Sequence, residues 1–408
     1  WLIYSLFNTK ALLADSMGCG KTYESILSIE VGDKFPCLVV TPSSVKYGFQ
    51  KEWLAVTRER RSVSVIESAS NLKKNEKNDW NADVVIINYD IIGEWTTTKK
   101  GTKVAVPKFK ELGDIKWEAI ICDESHFLKN PKSKRTKTIA KIIKPIDTRY
   151  FMTGTVIENK VMELWEQLKL LGTEKLISKD WMEFAYRYAN AKKEYFGFNT
   201  NGSNNLMELH TKLRKNCYVR RELIHVRDEV PREQRRTVEV SITNRKEYDE
   251  ADSDIYTYLL KTKGEEAAER SDGSQEGVVK ESVLSKLSVE GKMSHIIEYL
   301  KEWKESTEDK LIVFGTHRDT LETLSDMFEC DTIIGGVSAK EKHKIVEEWK
   351  TNDKQFVFAN MVSAGTGTDG LQHSCHNMLI IELPPKPSLL DQVIARIVRI
   401  GQKYPLFS

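Results

Sequence analysis

The stretch Ala14-Asp15-Ser16-Met17-Gly18-Cys19-Gly20-Lys21-Thr22 decides how the rest of the chain is interpreted. It follows a short apolar run at Ala11–Ala14 and precedes a helical pattern, so a loop between a strand and a helix is predicted. Closely spaced glycines let backbone N–H groups turn inward, and the first turn of the following helix favours anions. This context predicts a phosphate-binding loop. The alternative is a chance Gly-x-Gly-Lys-Thr in a surface turn, which a strand–loop–helix arrangement would exclude.

The residue types in this loop suit the parts of a nucleotide tail. Gly18 and Gly20 give phosphate oxygens access to the backbone, Lys21 can reach the terminal phosphates, and Thr22 can ligate Mg²⁺. Asp15 stands where the standard pattern has its first glycine, so the loop is a variant.

Apolar runs bounded by turn residues recur through the first part of the chain, with helical patterns between them. Strands that alternate with helices indicate a parallel, doubly wound sheet. A second alternating series starts near Gly291, and the region between the two series is helical and aromatic. The predicted divisions are a first lobe over 1–172, a helical insertion over 173–261 with a return strand near 237–242, a polar linker over 262–290, and a second lobe over 291–408.

The composition excludes several other classes of protein. The 408 residues include 40% hydrophobic and 30% charged residues, which is typical of a globular protein and not of a disordered or membrane protein. The formal net charge is +2, so bulk charge neither requires nor excludes a nucleic-acid partner. Six scattered cysteines and the lack of a signal or membrane segment lead us to expect a reducing location, cytoplasmic or nuclear.

A second candidate site is Ile120-Ile121-Cys122-Asp123-Glu124-Ser125-His126, an apolar run that ends in two adjacent carboxylates. Sheets of the α/β class place catalytic groups at strand ends. Asp123 would hold Mg²⁺, and Glu124 would orient and deprotonate a water that attacks the terminal phosphate. Taken alone, Asp-Glu after a strand is commonly a solvated helix start. The phosphate loop upstream favours the functional interpretation.

The third candidate site is a helical pattern over Gln392–Gln402, which carries two arginines. Arg396 and Arg399 are three positions apart and share a predicted helix face with Gln392. Two guanidinium groups on one face suit stabilisation of charge on a transferring phosphoryl group. An arginine pair on a helix is usually a solvated face, but apolar neighbours around this pair predict a half-buried helix whose arginines need an anionic partner.

These motifs together resemble those of the Swi/Snf-related ATPases of helicase superfamily two, over nearly the whole chain. Asp15–Thr22 is similar to the family's D-E-M-G-L-G-K-T, from which Ser16 and Cys19 depart, and Asp123–His126 is similar to its D-E-A-H or D-E-G-H box. Further segments match in the same order: Thr153-Gly154-Thr155 (T-G-T), Arg220-Arg221 (L-R-R), Phe314–His317 (F-x-x-x), Ser363–Gly367 (K-A-G-G-x-G) and Gln392–Gln402 (Q-x-x-x-R-x-x-R-I-G-Q). The compact insertion is closer to the annealing-helicase and the bacterial or viral branches.

The resemblance implies two RecA-like parallel-sheet lobes with a helical insertion between them, and ATP bound between the lobes with Mg²⁺. It also implies DNA-stimulated ATP hydrolysis that drives translocation on double-stranded DNA. The residues it assigns to catalysis are Lys21, Asp123, Glu124, Gln392, Arg396 and Arg399. Those it assigns to the nucleotide are Gly18, Cys19, Gly20, Lys21, Thr22, Gly367 and Asp369, with Thr22 and Asp123 as ligands of Mg²⁺.

The resemblance also assigns the coupling and nucleic-acid sites. It gives coupling of the two sites to His126, Thr153, Gly154 and Thr155. It gives sequence-independent contacts with the DNA backbone to Ser43, Ser44, Asn88, Tyr89, Lys129, Thr316, His317, Ser363 and Gly365. We expect a monomer and no contact with a membrane, and no motif identifies a protein partner.

Three rival functions share part of this pattern. A strand-separating DNA or RNA helicase of the same superfamily would keep every phosphate-binding residue. A non-catalytic nucleic-acid-binding scaffold would keep the fold without turnover, which the intact Lys21 and Glu124 disfavour. A small-molecule kinase could use the phosphate loop, but a second lobe with paired arginines is not expected of it.

Overall fold

The structure is a computed structural model that describes residues 4, 8–68, 72, 77–195, 197–226, 233–269, 276–365, 370–398, 402 and 404–408. The chain divides into two compact units, Trp1–Asp228 and Glu229–Ser408, called unit 1 and unit 2 below. Each unit is built on a parallel sheet of its own.

Unit 1 combines one large sheet with two small hairpins. Its strands are β1 (Lys10–Leu13), β2 (Cys37–Thr41), β3 (Val63–Val65), β4 (Val84–Asn88), β5 (Gly93–Thr97), β6 (Lys103–Pro107), β7 (Ala119–Cys122), β8 (Thr148–Met152), β9 (Lys192–Glu194), β10 (Gly197–Asn199) and β11 (Tyr218–Val219). The large sheet has the order β11-β1-β8-β7-β2-β4-β3, and all its neighbours are parallel. The pairs β5–β6 and β9–β10 are antiparallel hairpins.

Both faces of the large sheet are buried, as expected for a parallel sheet covered by helices on both sides. In β2, Leu38 and Val40 join one hydrophobic cluster, whereas Cys37 and Val39 join another. This division follows from the two-residue period of a strand. The helices of unit 1 are α1 (Lys21–Gly32), α2 (Lys46–Thr57), α3 (Glu111–Asp114), α4 (Lys134–Ile142), α5 (Glu163–Leu171), α6 (Glu174–Ile177), α7 (Trp181–Tyr188), α8 (Leu206–Asn216) and α9 (Leu223–Val226).

Unit 2 has a six-stranded parallel sheet. Its strands are β12 (Glu233–Gln234), β13 (Leu311–Gly315), β14 (Asp331–Ile333), β15 (Phe356–Asn360), β16 (Asn377–Ile380) and β17 (Leu406–Phe407), in the order β12-β17-β16-β13-β15-β14. Its helices are α10 (Arg245–Ser253), α11 (Ile255–Lys263), α12 (Glu265–Glu269), α13 (Glu276–Ser306), α14 (Arg318–Phe328), α15 (Ala339–Thr351), α16 (Met361–Gly365) and α17 (Pro387–Ile394).

The predicted polar linker over 262–290 is wrong. Residues 276–290 form the first half of the 31-residue helix α13, and α11 and α12 occupy much of 262–269. Val279, Val283 and Leu287 recur at intervals of four and pack in a cluster with Ala251 and Ile255. This helical spacing of apolar side chains outweighs the polar composition, because it gives the helix a face to bury.

The predicted return strand near 237–242 is also wrong. That segment contains no strand, and Val238 and Val240 are 64% and 39% exposed, so their alternation finds no partner sheet. The strand nearest to it is β12, which pairs with β17 in the sheet of unit 2. The predicted insertion, 173–261, is divided accordingly, because α6 to α9 belong to unit 1 whereas α10 and α11 belong to unit 2.

The predicted fold class is confirmed: the protein is α/β, with two RecA-like parallel-sheet lobes and helices inserted after β8. None of the helices in the described ranges combines the length and the apolar character needed to cross a bilayer.

Candidate active site

The functional residues of unit 1 follow the carboxyl ends of parallel strands. The phosphate loop follows β1, Ser43 and Ser44 follow β2, Asp123 follows β7 and Thr153 follows β8. These four strands are neighbours that run in one direction. The loops therefore meet at one edge of the sheet, which is where α/β proteins bind ligands.

The phosphate loop leads directly into α1, which begins at Lys21. Gly18 and Gly20 have φ values of 81° and 91°, left-handed conformations that glycine adopts without steric cost. Lys21 Nζ donates to the carbonyl oxygens of Asp15 and Ser16, at 2.8 and 3.2 Å. The strand–loop–helix context is therefore present, and the surface-turn alternative fails.

Two other residues predicted to bind the nucleotide lie beside this loop. Cys19 is 3% exposed, its Sγ lies 3.8 Å from the carbonyl oxygen of Arg221, and burial raises the pKa of its thiol. Its side chain therefore packs under the loop, and its backbone N–H donates to the Ser16 carbonyl oxygen at 3.3 Å. Thr22 is half-buried in the first turn of α1.

Arg221 ties the phosphate loop to the segment that follows β11. Its backbone N–H donates to Asp15 Oδ1 at 2.8 Å, its Nε donates to Asp15 Oδ2 at 3.0 Å, and a terminal guanidinium nitrogen contacts both Asp15 and Glu24. Asp15 is fully buried, so Arg221 supplies the positive charge that its carboxylate needs. The sequence analysis assigned no role to Arg221. The sequence feature that could have indicated one is Asp15, which stands in the place of the loop's first glycine and needs a positively charged partner.

Asp123 is held by Thr41, at the end of β2, and by Tyr89, which directly follows β4. Its Oδ2 accepts a hydrogen bond from Thr41 Oγ1 at 3.1 Å, and its carbonyl oxygen accepts one from the Tyr89 hydroxyl at 2.7 Å. Burial and the adjacent Glu124 carboxylate raise the pKa of Asp123 to about 7, against the opposing effects of Lys21 and Thr41. A carboxylate in this environment is suited to bind a cation.

Glu124 begins a chain of polar contacts that includes the T-G-T segment. The Thr153 hydroxyl lies 3.2 Å from Glu124 Oε2, and His126 Nδ1 lies 3.2 Å from the same oxygen and 2.9 Å from the Thr153 hydroxyl. Burial acts to raise the pKa of Glu124, but His126, Lys21 and Thr153 outweigh it and hold the pKa below its ordinary value. Glu124 is therefore kept ionised, as a proton acceptor must be.

Two of the residues predicted to couple the sites, His126 and Thr153, therefore contact Glu124, the predicted catalytic carboxylate. Thr155 N donates to the Thr153 hydroxyl at 3.1 Å, which fixes the turn of the T-G-T segment. A Cβ at Gly154 would lie 3.0 Å from Met17 Cγ and 3.8 Å from Lys21 Nζ, so this glycine lets the segment approach the phosphate loop.

Lys129 was predicted to contact DNA, but the structure directs its side chain to carboxylates. Its Nζ contacts Glu158 and lies 3.2 Å from Glu163 Oε1, and His126 Nε2 lies 3.6 Å from Glu158 Oε1. Glu163 also accepts hydrogen bonds from the backbone of Glu158 and Asn159, both at 3.1 Å. Lys129 therefore extends the polar chain that starts at Glu124, and sequence reasoning missed Glu158 and Glu163 as its members.

The other predicted DNA contacts of unit 1 differ in accessibility. Ser43 is exposed and Ser44 is half-buried, so both can be reached from solvent. Asn88 and Tyr89 are only 5% and 2% exposed. The Tyr89 ring stacks on Phe127 at a centroid distance of 5.5 Å, and its hydroxyl is used by Asp123. The prediction that Tyr89 contacts DNA is wrong for its side chain, because that side chain is buried and its hydroxyl donates to the backbone of Asp123.

Replacement of Tyr89 by phenylalanine tests this assignment. Loss of one buried hydrogen bond is expected to lower the free energy of unfolding by about 0.5–1.5 kcal/mol, since the ring contact remains. The dissociation constant for DNA should be unchanged at every salt concentration. Urea denaturation and fluorescence anisotropy measure the two quantities, and Ser43→Ala is the matched variant at an accessible position. A salt-dependent loss of DNA affinity in Tyr89→Phe would contradict the assignment.

In unit 2, Thr316 and His317 follow β13 and are held by Glu382. The Glu382 Oε1 accepts the backbone N–H groups of Thr316 and His317 at 2.5 and 3.1 Å, and its Oε2 lies 3.2 Å from His317 Nε2. Ser285 of α13 donates to the same carboxylate at 3.0 Å. Glu382 is 6% exposed, and this buried anchor was not predicted from the sequence.

Ser363 and Gly365 lie in α16, and two positively charged side chains donate hydrogen bonds to the backbone of this helix. Lys342 Nζ donates to the carbonyl oxygen of Ser363 at 3.0 Å, and burial lowers the pKa of Lys342. Arg396 donates to the carbonyl oxygen of Gly365 through Nε at 3.1 Å and through a terminal nitrogen at 2.6 Å. Lys342 and Arg396 therefore fix the segment whose Ser363 and Gly365 were predicted to contact DNA.

The helical pattern predicted over Gln392–Gln402 is a helix only at its start in the structure. The helix α17 ends at Ile394, and the described residues after it, 395–398, form turns. Arg396 follows the end of the helix, but it still lies on the same side as Gln392: it donates to the Gly365 carbonyl oxygen, and a Cβ at Gly365 would lie 3.5 Å from Gln392 Oε1. Arg399, Gly367 and Asp369 lie outside the described residues.

The residues present fit a nucleoside triphosphate and Mg²⁺. Thr22 and Asp123 offer the hydroxyl and carboxylate oxygens that Mg²⁺ prefers, and Mg²⁺ bound at phosphates needs only one or two carboxylates. Desolvation and the adjacent Glu124 raise the pKa of Asp123, and a bound cation would stabilise its anionic form. Nowhere in the described part of the chain do three His, Cys, Asp or Glu side chains cluster as a candidate all-protein metal centre.

Comparisons with known proteins agree with this geometry. A family model described as SNF2-related domain matches residues 1–295, and one described as helicase conserved C-terminal domain matches residues 291–401. The chain belongs to the SNF2-related family. This places it among the helicase-like ATPases.

The individual proteins that resemble this chain share less than a third of its residues. The SWI/SNF-related matrix-associated actin-dependent regulator of chromatin subfamily A-like protein 1 of Xenopus tropicalis is 28% identical over 96% of this chain and 39% of its own length. The DNA annealing helicase and endonuclease ZRANB3 of Homo sapiens is 24% identical over 97% of this chain and 36% of its own length. The chain thus spans less than two-fifths of these relatives. The Sulfolobus solfataricus SWI2/SNF2 ATPase core in complex with dsDNA aligns over the whole chain with 21% identity and a TM-score of 0.44.

Proposed function

We propose that this chain is the motor core of an ATP-dependent translocase on double-stranded DNA. The observation that carries the proposal is the contact chain at the sheet edge of unit 1, in which Glu124, Thr153 and His126 lie within 3.2 Å of one another. It joins a carboxylate suited to activate water to the T-G-T segment. Such a connection is what a motor needs if hydrolysis is to respond to DNA.

The proposed roles follow from these positions. Lys21 binds the terminal phosphates, and Asp123 with Thr22 holds Mg²⁺, whose charge neutralises the phosphate oxygens when it is bound. Glu124 accepts a proton from the attacking water, and Thr153 and His126 keep its carboxylate oriented. The protein thus acts by positioning charges around the phosphoryl group.

We assign the second unit the role of responding to DNA and completing catalysis. Gln392, Arg396 and Arg399 act on the same nucleotide, with Arg399 as the residue that stabilises charge on the transferred group. The bonds of Arg396 to Gly365 couple that action to the backbone of the Ser363–Gly365 segment. DNA contacts go mainly to phosphates and are therefore independent of sequence.

Lys21→Ala and Arg399→Ala test the proposal. Each is expected to lower DNA-stimulated phosphate release to near background. Lys21→Ala removes the charge that binds the terminal phosphates, and Arg399→Ala removes an arginine of a kind that contributes about 10³–10⁵ in rate. Circular dichroism should show an intact fold in both variants. Turnover like that of the wild type in either variant would refute the assignment of that residue.

The nucleic acid is identified by comparing stimulation with duplex DNA, single-stranded DNA, forked DNA and RNA. We expect the largest stimulation with duplex DNA, and no displacement of an annealed strand. A strand-displacement activity, or preference for RNA, would instead favour the strand-separating helicase. Turnover that no nucleic acid stimulates would overturn the proposal. We also propose that the core acts as a monomer, in the cytoplasm or nucleus.

A further inference from the structure

A basic surface lies on unit 1 outside the residues assigned so far. It is formed by the β5–β6 hairpin, Gly93–Pro107, and by the helix α4, and it is called the hairpin surface below. These 24 residues carry seven cations and the single carboxylate Glu94, a formal excess of six in a chain whose net charge is +2. The cations are Lys99, Lys100, Lys103, Lys134, Arg135, Lys137 and Lys141.

The hairpin is fixed on the helix by close packing at its base. A Cβ at Gly93 would lie 2.1 Å from Thr138 Oγ1, so the strand approaches α4 as closely as only a glycine allows. Ala105, which pairs with Trp95, is 2% exposed. The hairpin surface is therefore one rigid element and not a loop that moves independently of the sheet.

The tip of the hairpin presents two lysines to solvent. Gly101 N donates to the Thr98 carbonyl oxygen, and Thr98 N donates to the Thr102 carbonyl oxygen, both at 2.9 Å. Gly101 has a φ of 78°, which completes the three-residue hairpin loop of a turn followed by a left-handed residue. Lys99 and Lys100 occupy the two central positions of that turn, and both are exposed.

A second group of lysines lies between the hairpin and α4. Trp95 and Lys103 share one hairpin face, because Trp95 pairs with Ala105 and Lys103 pairs with Thr97. Lys137 Nζ lies 5.2 Å from the centre of the Trp95 ring, which is 46% exposed. Lys137 and Lys141 are exposed and one helical turn apart. Among the described residues, these lysines and those at the tip form no ion pair with a carboxylate.

The hairpin surface belongs to the edge of the sheet where the other loops gather. The hairpin begins shortly after β4, whose last residue Asn88 pairs with Thr41 at the end of β2. The exposed Ser43 follows that same end of β2. Strand direction therefore sends both segments out of the same edge.

We propose that the hairpin surface is a binding site for the phosphate backbone of duplex DNA. This inference rests on the proposed function for the identity of the nucleic acid. Unpaired, exposed ammonium groups on a rigid support favour a ligand that presents several anions at fixed spacing. A duplex has one phosphate per about 1.7 Å of its axis and meets that requirement. The cation–π contact with Trp95 holds Lys137 in place, which lowers the entropy lost when it binds.

The test measures duplex binding by fluorescence anisotropy without nucleotide, over a range of salt concentrations. Each phosphate contact contributes about 0.9 to the slope of log affinity against log salt, so K99Q/K100Q should reduce that slope by about 2. K99Q/K100Q/K103Q/K137Q should reduce it by about 3 to 4, and should weaken binding by about 10³-fold near 100 mM salt, because each unit of slope is worth about tenfold in affinity between 1 M and 100 mM salt. The matched control is K192Q/K193Q, which removes two exposed lysines from the β9–β10 hairpin of the same unit.

The outcomes separate this inference from the proposed function. Reduced slopes in the hairpin variants, with the wild-type slope in K192Q/K193Q, would support the site. Slopes equal to the wild type in all variants would overturn it and leave the translocase proposal intact. An equal loss in K192Q/K193Q would also overturn it, since the effect would then be one of general charge. Phosphate release without DNA should be unchanged in every variant, and failure of duplex DNA to stimulate the wild type would overturn the proposed function alone.

Discussion

Glu124→Gln is expected to lower DNA-stimulated ATP turnover by about 10²–10⁴-fold, which is the usual contribution of a general base. Glutamine keeps the shape of the side chain and can still contact Thr153, but it cannot accept a proton from water. ATP binding should therefore be unchanged. Phosphate release and the affinity for a fluorescent ATP analogue measure the two effects.

Glu118→Gln is the matched control for Glu124→Gln. Glu118 is exposed and directly precedes β7, whereas Glu124 lies just beyond the other end of that strand. The control should retain wild-type turnover. If Glu124→Gln hydrolysed ATP at the wild-type rate, another group would have to activate the water, and the role inferred from the Glu124–Thr153–His126 contacts would be wrong.

Arg221→Ala is expected to destabilise the protein by about 3–5 kcal/mol, as found when one partner of a buried ion pair is removed. The physical reason is that Asp15 is fully buried and would keep a negative charge without its partner. The phosphate loop should also lose its shape, because Arg221 contacts both Asp15 and Glu24 of α1. Urea denaturation and nucleotide affinity should both report the change.

Two further variants show whether the unpaired charge is the cause. The double variant Asp15→Asn/Arg221→Gln removes both charges and should be less destabilised than Arg221→Ala. The neighbouring Arg220 donates to the carbonyl oxygens of Ala14 and Gly154 at 3.3 and 3.5 Å, so Arg220→Ala should cost only about 1 kcal/mol. Equal destabilisation by Arg220→Ala and Arg221→Ala would contradict this account.

Sequence periodicity was sufficient where a segment is buried on both faces. Two of the apolar runs in the first part of the chain, Cys37–Thr41 and Ala119–Cys122, form β2 and β7, since unbroken apolar runs between turn residues have few other structures available. The linker prediction failed at α13 because composition was weighed above the four-residue spacing of Val279, Val283 and Leu287. The prediction of a return strand near 237–242 failed because an alternating pattern forms a strand only beside a partner strand, which the sequence alone does not reveal.

Some residues of the site could likewise be predicted from the sequence, and others could not. Lys21, Asp123 and Glu124 could be predicted because the groups that define their chemistry are adjacent in the chain. The partners that hold them could not, since Arg221 is 206 positions from Asp15 and Glu382 is 66 positions from Thr316. Lys129 illustrates the difficulty, because a lysine near a strand end favours a phosphate contact until Glu158 and Glu163 are seen beside it.

The order of the strands in unit 2 bears on how the protein folds as the ribosome makes it. Among the described strands, β12 pairs with β17 alone, and the Ser408 hydroxyl donates to Glu233 across 175 positions. At a synthesis rate of about 5–20 residues per second, β12 waits roughly 10–35 s for its partner to emerge. During that interval all of unit 1 has been synthesised and can fold, while β12 has no strand to pair with.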